Sequence, residues 1–246
     1  MSGWARKRFW KEAEIDEVAG GYTVTLDGRA LKTPAKAALV VPSAAVAQLI
    51  AEEWQAQGDV IDPNAMPATR AANAAIDKVR GQKAEVTEII TAYGDSDLVC
   101  YRAEAPEGLV EAECKAWDPL IDWAGHRYGR RPVLRVGVMH APQPAALLAS
   151  LEADVTRLDA FELTAFHNLV AMSGSLIIAL ATLDRFASPE ALWEASRVDE
   201  DWQIAQWGRD EEAEALAAVR RQSFLDAARF YFACQSGRVT PARAAQ

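Results

Sequence analysis

Cysteine and histidine are scarce in this 246-residue chain, at three each. Cys100, Cys114 and Cys234 are odd in number, widely spaced and without a CxxC pair. They form no disulfide framework, which points to a reducing compartment. His126, His140 and His167 fall in no HxH or HExxH pattern, so no metal site is expected. The chain also lacks GxxxxGK[ST] and a GxGxxG after a strand, so no nucleotide cofactor is implied. No apolar run reaches the roughly 18 residues of a membrane span, and stable membrane insertion is not expected. Positive charge is in deficit: 26 Lys+Arg stand against 35 Asp+Glu, a net charge of −9. That balance disfavours nucleic-acid binding, which needs a positive surface. The N-terminal Met1-Ser2-Gly3-Trp4-Ala5-Arg6-Lys7-Arg8 is basic but has no apolar core or small-residue cleavage site. It does not read as a secretory signal, and a cytoplasmic, bacterial protein is the expectation.

What is present is an ordinary globular mixture, half hydrophobic and a quarter charged, with enough length to bury a sizeable core. The β-signals come first. Residues 14–18 and 22–26 read as strands, and Asp27-Gly28 is a type I′ hairpin signal before Arg29-Ala30-Leu31. Thr33-Pro34 interrupts, and residues 38–41 resume extended structure. Ser43 is placed to cap a helix bearing Val46, Leu49, Ile50 and Trp54 on one face, with Gly58 expected as a left-handed stop. Residues 62–67 read as a loop, and 69–93 as helix broken near Gly81.

After residue 95 helical periodicity dominates. Helices are expected over 107–117, 119–128 (with Pro119 in its first turn), 143–159 and 161–186, with an extended linker over 132–139. Two more are expected, from Ser188 to Trp207 and from Asp210 to Cys234, with a frayed tail after Gly237. The fold class predicted is α+β: a small β-rich domain over 1–95 and a mainly helical domain over 96–246.

Candidate chemistry is thin. Met172-Ser173-Gly174-Ser175-Leu176 is not GxSxG and lies in a helical pattern, so its small residues are expected to serve helix packing. Residues 169–183 read as a buried central helix, and His167 beside them as a core histidine. The segment 187–219 is different. It carries nine acids and two bases, a local charge of −7, with Trp193, Trp202 and Trp207 embedded. Acids usually mark a solvated helix face. Trp beside them also builds a protein-recognition surface, where the ring anchors and the acids select a basic partner. At the N-terminus Arg6, Lys7, Arg8 and Lys11 are interleaved with Trp4, Phe9 and Trp10, a short patch that would serve a membrane-bound adaptor or pair with the protein's own acids.

Several strings taken together resemble a known family. Arg8-Phe9-Trp10-Lys11-Glu12-Ala13 is followed by the string from Gly21-Tyr22-Thr23 to Asp27-Gly28-Arg29, then by Leu31-Lys32-Thr33-Pro34-Ala35. Val41-Pro42-Ser43, Glu53-Trp54, Met66-Pro67-Ala68-Thr69-Arg70 and Ala72-Asn73-Ala74-Ala75-Ile76-Asp77 come next, and Trp202-Gln203-Ile204-Ala205-Gln206-Trp207-Gly208 stands near the end. Over about residues 4–235 the chain is similar to the assembly-factor family that chaperones the alpha subunit of the F-type ATP synthase. The resemblance implies a non-enzymatic chaperone that shields the free alpha subunit until the beta subunit replaces it.

It also implies a partner-binding signature at Glu200, Trp202, Gln203, Trp207 and Gly208, with the acids Asp210, Glu211 and Glu212 behind it. The functional acid after Trp207-Gly208 is any of those three. Trp54 is read as core packing. A monomer is expected, because covering a subunit face gains little from symmetric pairing. The rival reading is a small-molecule enzyme using carboxylates near Glu200 and Glu212, which requires those acids to converge in a pocket.

Overall fold

A computed structural model describes residues 7–237. Trp4 and Arg6 of the basic N-terminal patch, and the expected tail after Gly237, lie outside the described residues. Contacts divide the described residues into two compact units, 7–81 with 229–237, and 82–228. The expected boundary near residue 95 falls inside the second unit.

The first unit holds the three-stranded antiparallel sheet. Strand β1 (Ala13–Val18) pairs with β2 (Gly21–Leu26), and β2 with β3 (Arg29–Ala30). Asp27 and Gly28 have φ of 48° and 76°, the positive pair that a type I′ turn demands. The 38–41 segment returns to the sheet through bridges Lys32↔Ala38 and Tyr22↔Val41. Gly21 is held at φ 149° with the Val41 carbonyl oxygen where a β-carbon would stand. Only glycine fits there.

Helix α1 (Ala44–Gln55) packs on β1, β2 and α2 (Pro67–Asp77). Ser43 caps α1, accepting from Val46 N–H at 3.1 Å while its hydroxyl donates to the Ala233 carbonyl at 2.6 Å. Gly58 does not end α1 in a left-handed turn, since its φ is not positive. The helix stops at Gln55, and the Gln57 amide donates to the Glu53 carbonyl instead, at 3.1 Å. Glu53 reaches across to α2 and accepts from Thr69 N–H at 2.8 Å and Thr69 Oγ1 at 2.7 Å. Trp54 is half-buried and meets buried Trp10 edge-on, with centroids 5.0 Å apart. Arg8 donates to the carbonyls of Trp10, Lys11, Gln55 and Gln57, so this member of the basic patch is spent on the protein's own backbone.

The second unit is helical apart from β4 (Tyr101–Arg102), which pairs in parallel with β5 (Arg135–Val136). Helix α3 (Lys83–Thr91) precedes β4, and α4 (Glu107–Tyr128) runs unbroken through Pro119. The two helices expected there are one, because Trp117, Leu120, Ile121 and Ala124 keep a single buried stripe across the proline. Helix α5 (Ala145–Thr156) leads to α6 (Ala160–Ser173), which opens on a capping box of Asp159 and Glu162.

The apolar stretch expected as one helix is two. Gly174, at φ 72°, ends α6, and Ser175 caps α7 (Leu176–Leu183). The small residues there make a break rather than a packing seam. Buried Asp97 completes it, accepting from Ser175 Oγ at 2.6 Å and Ile177 N–H at 2.9 Å. His167 is exposed rather than in the core, because its neighbours at 163, 166 and 170 take the buried face of α6.

The segment from Ser188 to Trp207 also divides, into α8 (Pro189–Ala195) and α9 (Val198–Trp207). The Trp117 indole N–H takes the Ala195 carbonyl at 2.6 Å, and buried Ser196 turns its hydroxyl to the Trp193 carbonyl at 2.7 Å. Those bonds end α8. Gly208, at φ 93°, ends α9, and α10 (Glu211–Gln235) follows. Among the described residues no helix is long and apolar enough to cross a membrane, and no group of three acids, histidines or cysteines could hold a metal ion.

Candidate functional site

Ser196 is buried and Phe224 is buried, but no residue from 197 to 223 is. This stretch comprises α9, the Gly208 turn and the first half of α10. With no residue fully buried, α9 and the first half of α10 lie outside the core, although Val198, Asp199, Trp202 and Ile204 are half-covered. All eight residues of the expected signature lie in this stretch.

The polar content explains part of the exposure. Of the nine acids in 187–219, Asp199 and Glu214 are half-buried and the other seven exposed. Glu200 pairs with Arg197 at 3.0 Å, and Glu214 with Arg209 at 3.3 Å. Asp210 caps α10, accepting from Ala213 N–H at 2.9 Å.

The apolar content is what a solvated face would not carry. Trp207 is 80% exposed, Val219 63% and Leu216 60%. With Ile204 and Ala213, Trp207 and Leu216 line a groove of about 370 Å³ between α9 and α10. Glu200, Gln203 and Asp210 stand on the same groove. Arg220 closes one end, its Nη2 donating to the Met172 carbonyl at 3.2 Å.

The structure therefore brings five of the signature residues together, Glu200, Gln203, Trp207, Gly208 and Asp210. It does not bring the other three there. Trp202 points to the opposite face of α9, into an apolar cleft of about 600 Å³ shared with Leu120, Phe186 and Leu192. Glu211 and Glu212 are exposed beyond the groove. Trp193 is core rather than surface, 5% exposed and tilted against Phe224 at 5.8 Å.

Glu200 and Glu212 do not converge on one pocket, which removes the geometry an acid–base pair would need. The sequence reading missed Leu216 and Arg220, which α10 contributes. It also missed Glu113, buried on α4 beside Asp199. Burial and the Asp199 charge raise the Glu113 carboxyl to about 7. A signal for it existed: Glu113 falls on the same helical stripe as Trp117, Leu120 and Ala124.

Known proteins resemble this chain throughout. The family profile described as ATP12 chaperone protein matches residues 7–125. "Protein atp12, mitochondrial" of Schizosaccharomyces pombe is 25% identical over 228 residues, spanning 85% of this chain and 76% of that protein. The crystal structure of Atp12 from Paracoccus denitrificans superposes with a TM-score of 0.89 at 47% identity, covering 93% of this chain and 98% of that one. A structure from Agrobacterium tumefaciens gives a TM-score of 0.89 at 40% identity, covering 92% of this chain and 85% of that one.

Proposed function

This chain belongs to the ATP12 chaperone family, non-enzymatic chaperones of ATP synthase assembly, and we propose that it binds the free alpha subunit through α9 and the first half of α10. An unassembled subunit exposes a large apolar interface that aggregates. A chaperone that covers it keeps it soluble and yields to the beta subunit later. Such binding calls for a few apolar anchors and a polar rim rather than a large sealed interface.

The observation that carries this reading is the unburied stretch 197–223, with Trp207 and Leu216 open to solvent on a groove edged by Glu200 and Asp210. Its occupant is a segment of the alpha subunit with an apolar side chain for the groove and Lys or Arg beside it. The acids Asp201, Glu211 and Glu212, which have no ion-pair partner among the described residues, favour that charge and disfavour acidic competitors.

The test is an aggregation assay. Alpha subunit diluted from denaturant is expected to stay soluble at near-stoichiometric chaperone, while beta subunit in the same assay does not benefit. Equal protection of both, or of neither, would sink the proposal.

A further inference from the structure

Helix α9 has no buried residue, so core burial does not hold it in place. It packs on α4. One contact sets the Trp202 ring against Gly108. Another joins two acids. Glu113 of α4 is 2% exposed, and its carboxyl faces that of Asp199 in the first turn of α9. Two ionised carboxylates so placed repel, more strongly than in water because they are partly desolvated.

The hydrogen-bond geometry shows what is missing. Ala103 N–H donates to Glu113 Oε2 at 2.9 Å. Asp199 Oδ1 is shut off from solvent, and no donor among the described residues serves it. The group facing it is the Glu113 carboxyl. A proton there would supply the donor and replace repulsion with an O–H···O⁻ bond, among the shortest and strongest that proteins make.

We infer that Glu113 is a positioning residue: it holds a proton against Asp199 and thereby sets α9, with Glu200, Gln203 and Trp207, in its docking position. This rests on the docking role proposed for α9. The charged groups facing Glu113 are Asp199 from α9 and Arg102 from β4. Arg102 gives Nη2 to Asp118 at 2.9 Å, and its Nε and Nη1 make no hydrogen bond to either carboxyl among the described residues, so it does not replace the proton. Burial, then Asp199, raise the Glu113 carboxyl to about 7. Above that pH the pair becomes doubly charged and α9 loosens from α4.

Amide hydrogen exchange of α9 in the full chain tests this without any partner. After correction for the intrinsic rate, wild-type α9 is expected to lose about tenfold in protection between pH 6 and pH 8, one proton being released on undocking. Helix α8 serves as the internal control and stays constant. Glu113→Gln keeps both bonds without a titrating proton, so its α9 protection is expected to be independent of pH. Asp199→Asn, which removes the second charge but leaves Glu113 buried, is expected to reduce the pH dependence without abolishing it. In the aggregation assay, wild type weakens above pH 7 and Glu113→Gln does not.

Constant wild-type α9 protection across this range, or the same pH dependence in Glu113→Gln, overturns the inference. Failure of every form to protect alpha subunit would overturn the docking reading instead, while the exchange profile still decides whether the proton holds α9.

Discussion

The Trp202 ring fills the space left by the missing side chain of Gly108: a β-carbon on Gly108 would stand 2.6 Å from Trp202 Cη2. Helix α4 thus offers α9 a notch, and the notch exists because residue 108 is glycine. Gly108→Ala is expected to push the ring out and destabilise the protein by about 1–3 kcal/mol, the range for overpacking a filled site. Near-ultraviolet circular dichroism should change with it, since an indole leaves a fixed environment. An unaltered spectrum and urea midpoint would show that α9 does not depend on this contact.

Trp207 has the opposite relation to the fold. At 80% exposure it contributes little to stability, and Trp207→Ala is expected to leave the urea midpoint within about 0.5 kcal/mol of wild type. Its effect should fall on binding. An aromatic anchor of an interface contributes about 2 kcal/mol, so affinity for alpha subunit should drop about 30-fold. Titration calorimetry with the alpha subunit checks the drop, and full affinity in the variant would remove Trp207 from the interface.

The acids after Gly208 can be separated by structure. Asp210 caps α10 through Ala213 N–H, so Asp210→Lys should lose about 1 kcal/mol of stability along with any binding effect. Glu212 is exposed and outside the groove, so Glu212→Lys is the cleaner probe. It is expected to weaken binding while circular dichroism stays unchanged, and the deficit should shrink at high salt. Loss of helicity in Glu212→Lys would make that acid structural.

Asp97 and Glu113 set a pH dependence of stability. Burial raises the first to about 6 and, with the Asp199 charge, the second to about 7. The folded state therefore binds protons that the unfolded state has already released. Stability from these groups is present at low pH, below their unfolded values, and declines as pH rises through 6 and 7. Each shift corresponds to about 3 kcal/mol at most. The urea midpoint is expected to fall between pH 5 and pH 8, and Glu113→Gln should remove the upper part of that fall. A midpoint rising over this range would contradict the assignment.

Glu53 ties α1 to α2 through the α2 N-terminus. Removing a charged cap leaves orphan N–H groups, and Glu53→Ala is expected to lower stability by about 2 kcal/mol. Chaperoning at low temperature should survive, because α9 and the first half of α10 lie in the other unit. Wild-type thermal stability in the variant would show that other contacts satisfy those groups.

Most signals with a range of a few residues were legible, the Gly58 stop being the exception because the Gln57 side chain closes that turn. The Asp27-Gly28 turn, the Ser43 and Ser188 caps and the Gly208 stop are where the pattern placed them. The other errors were of continuity. Apolar periodicity runs straight through Gly174 and Ser196, and the helix ends there are made by Asp97 and Trp117, distant in the chain. Pro119 misled in the other direction, since a buried stripe carried α4 through it.

By itself the sequence determined the α+β class, the family strings and the acidic, Trp-bearing segment, because composition, turn chemistry and periodicity act within a few residues. Tertiary structure alone decided which of those tryptophans is core and which is open. Trp193, Trp202 and Trp207 look alike in the chain, but one meets Phe224, one fills the notch at Gly108 and one meets solvent. It also decided that Glu113 faces Asp199. Burial is a property of the neighbours that packing brings, and those neighbours come from helices far apart in sequence.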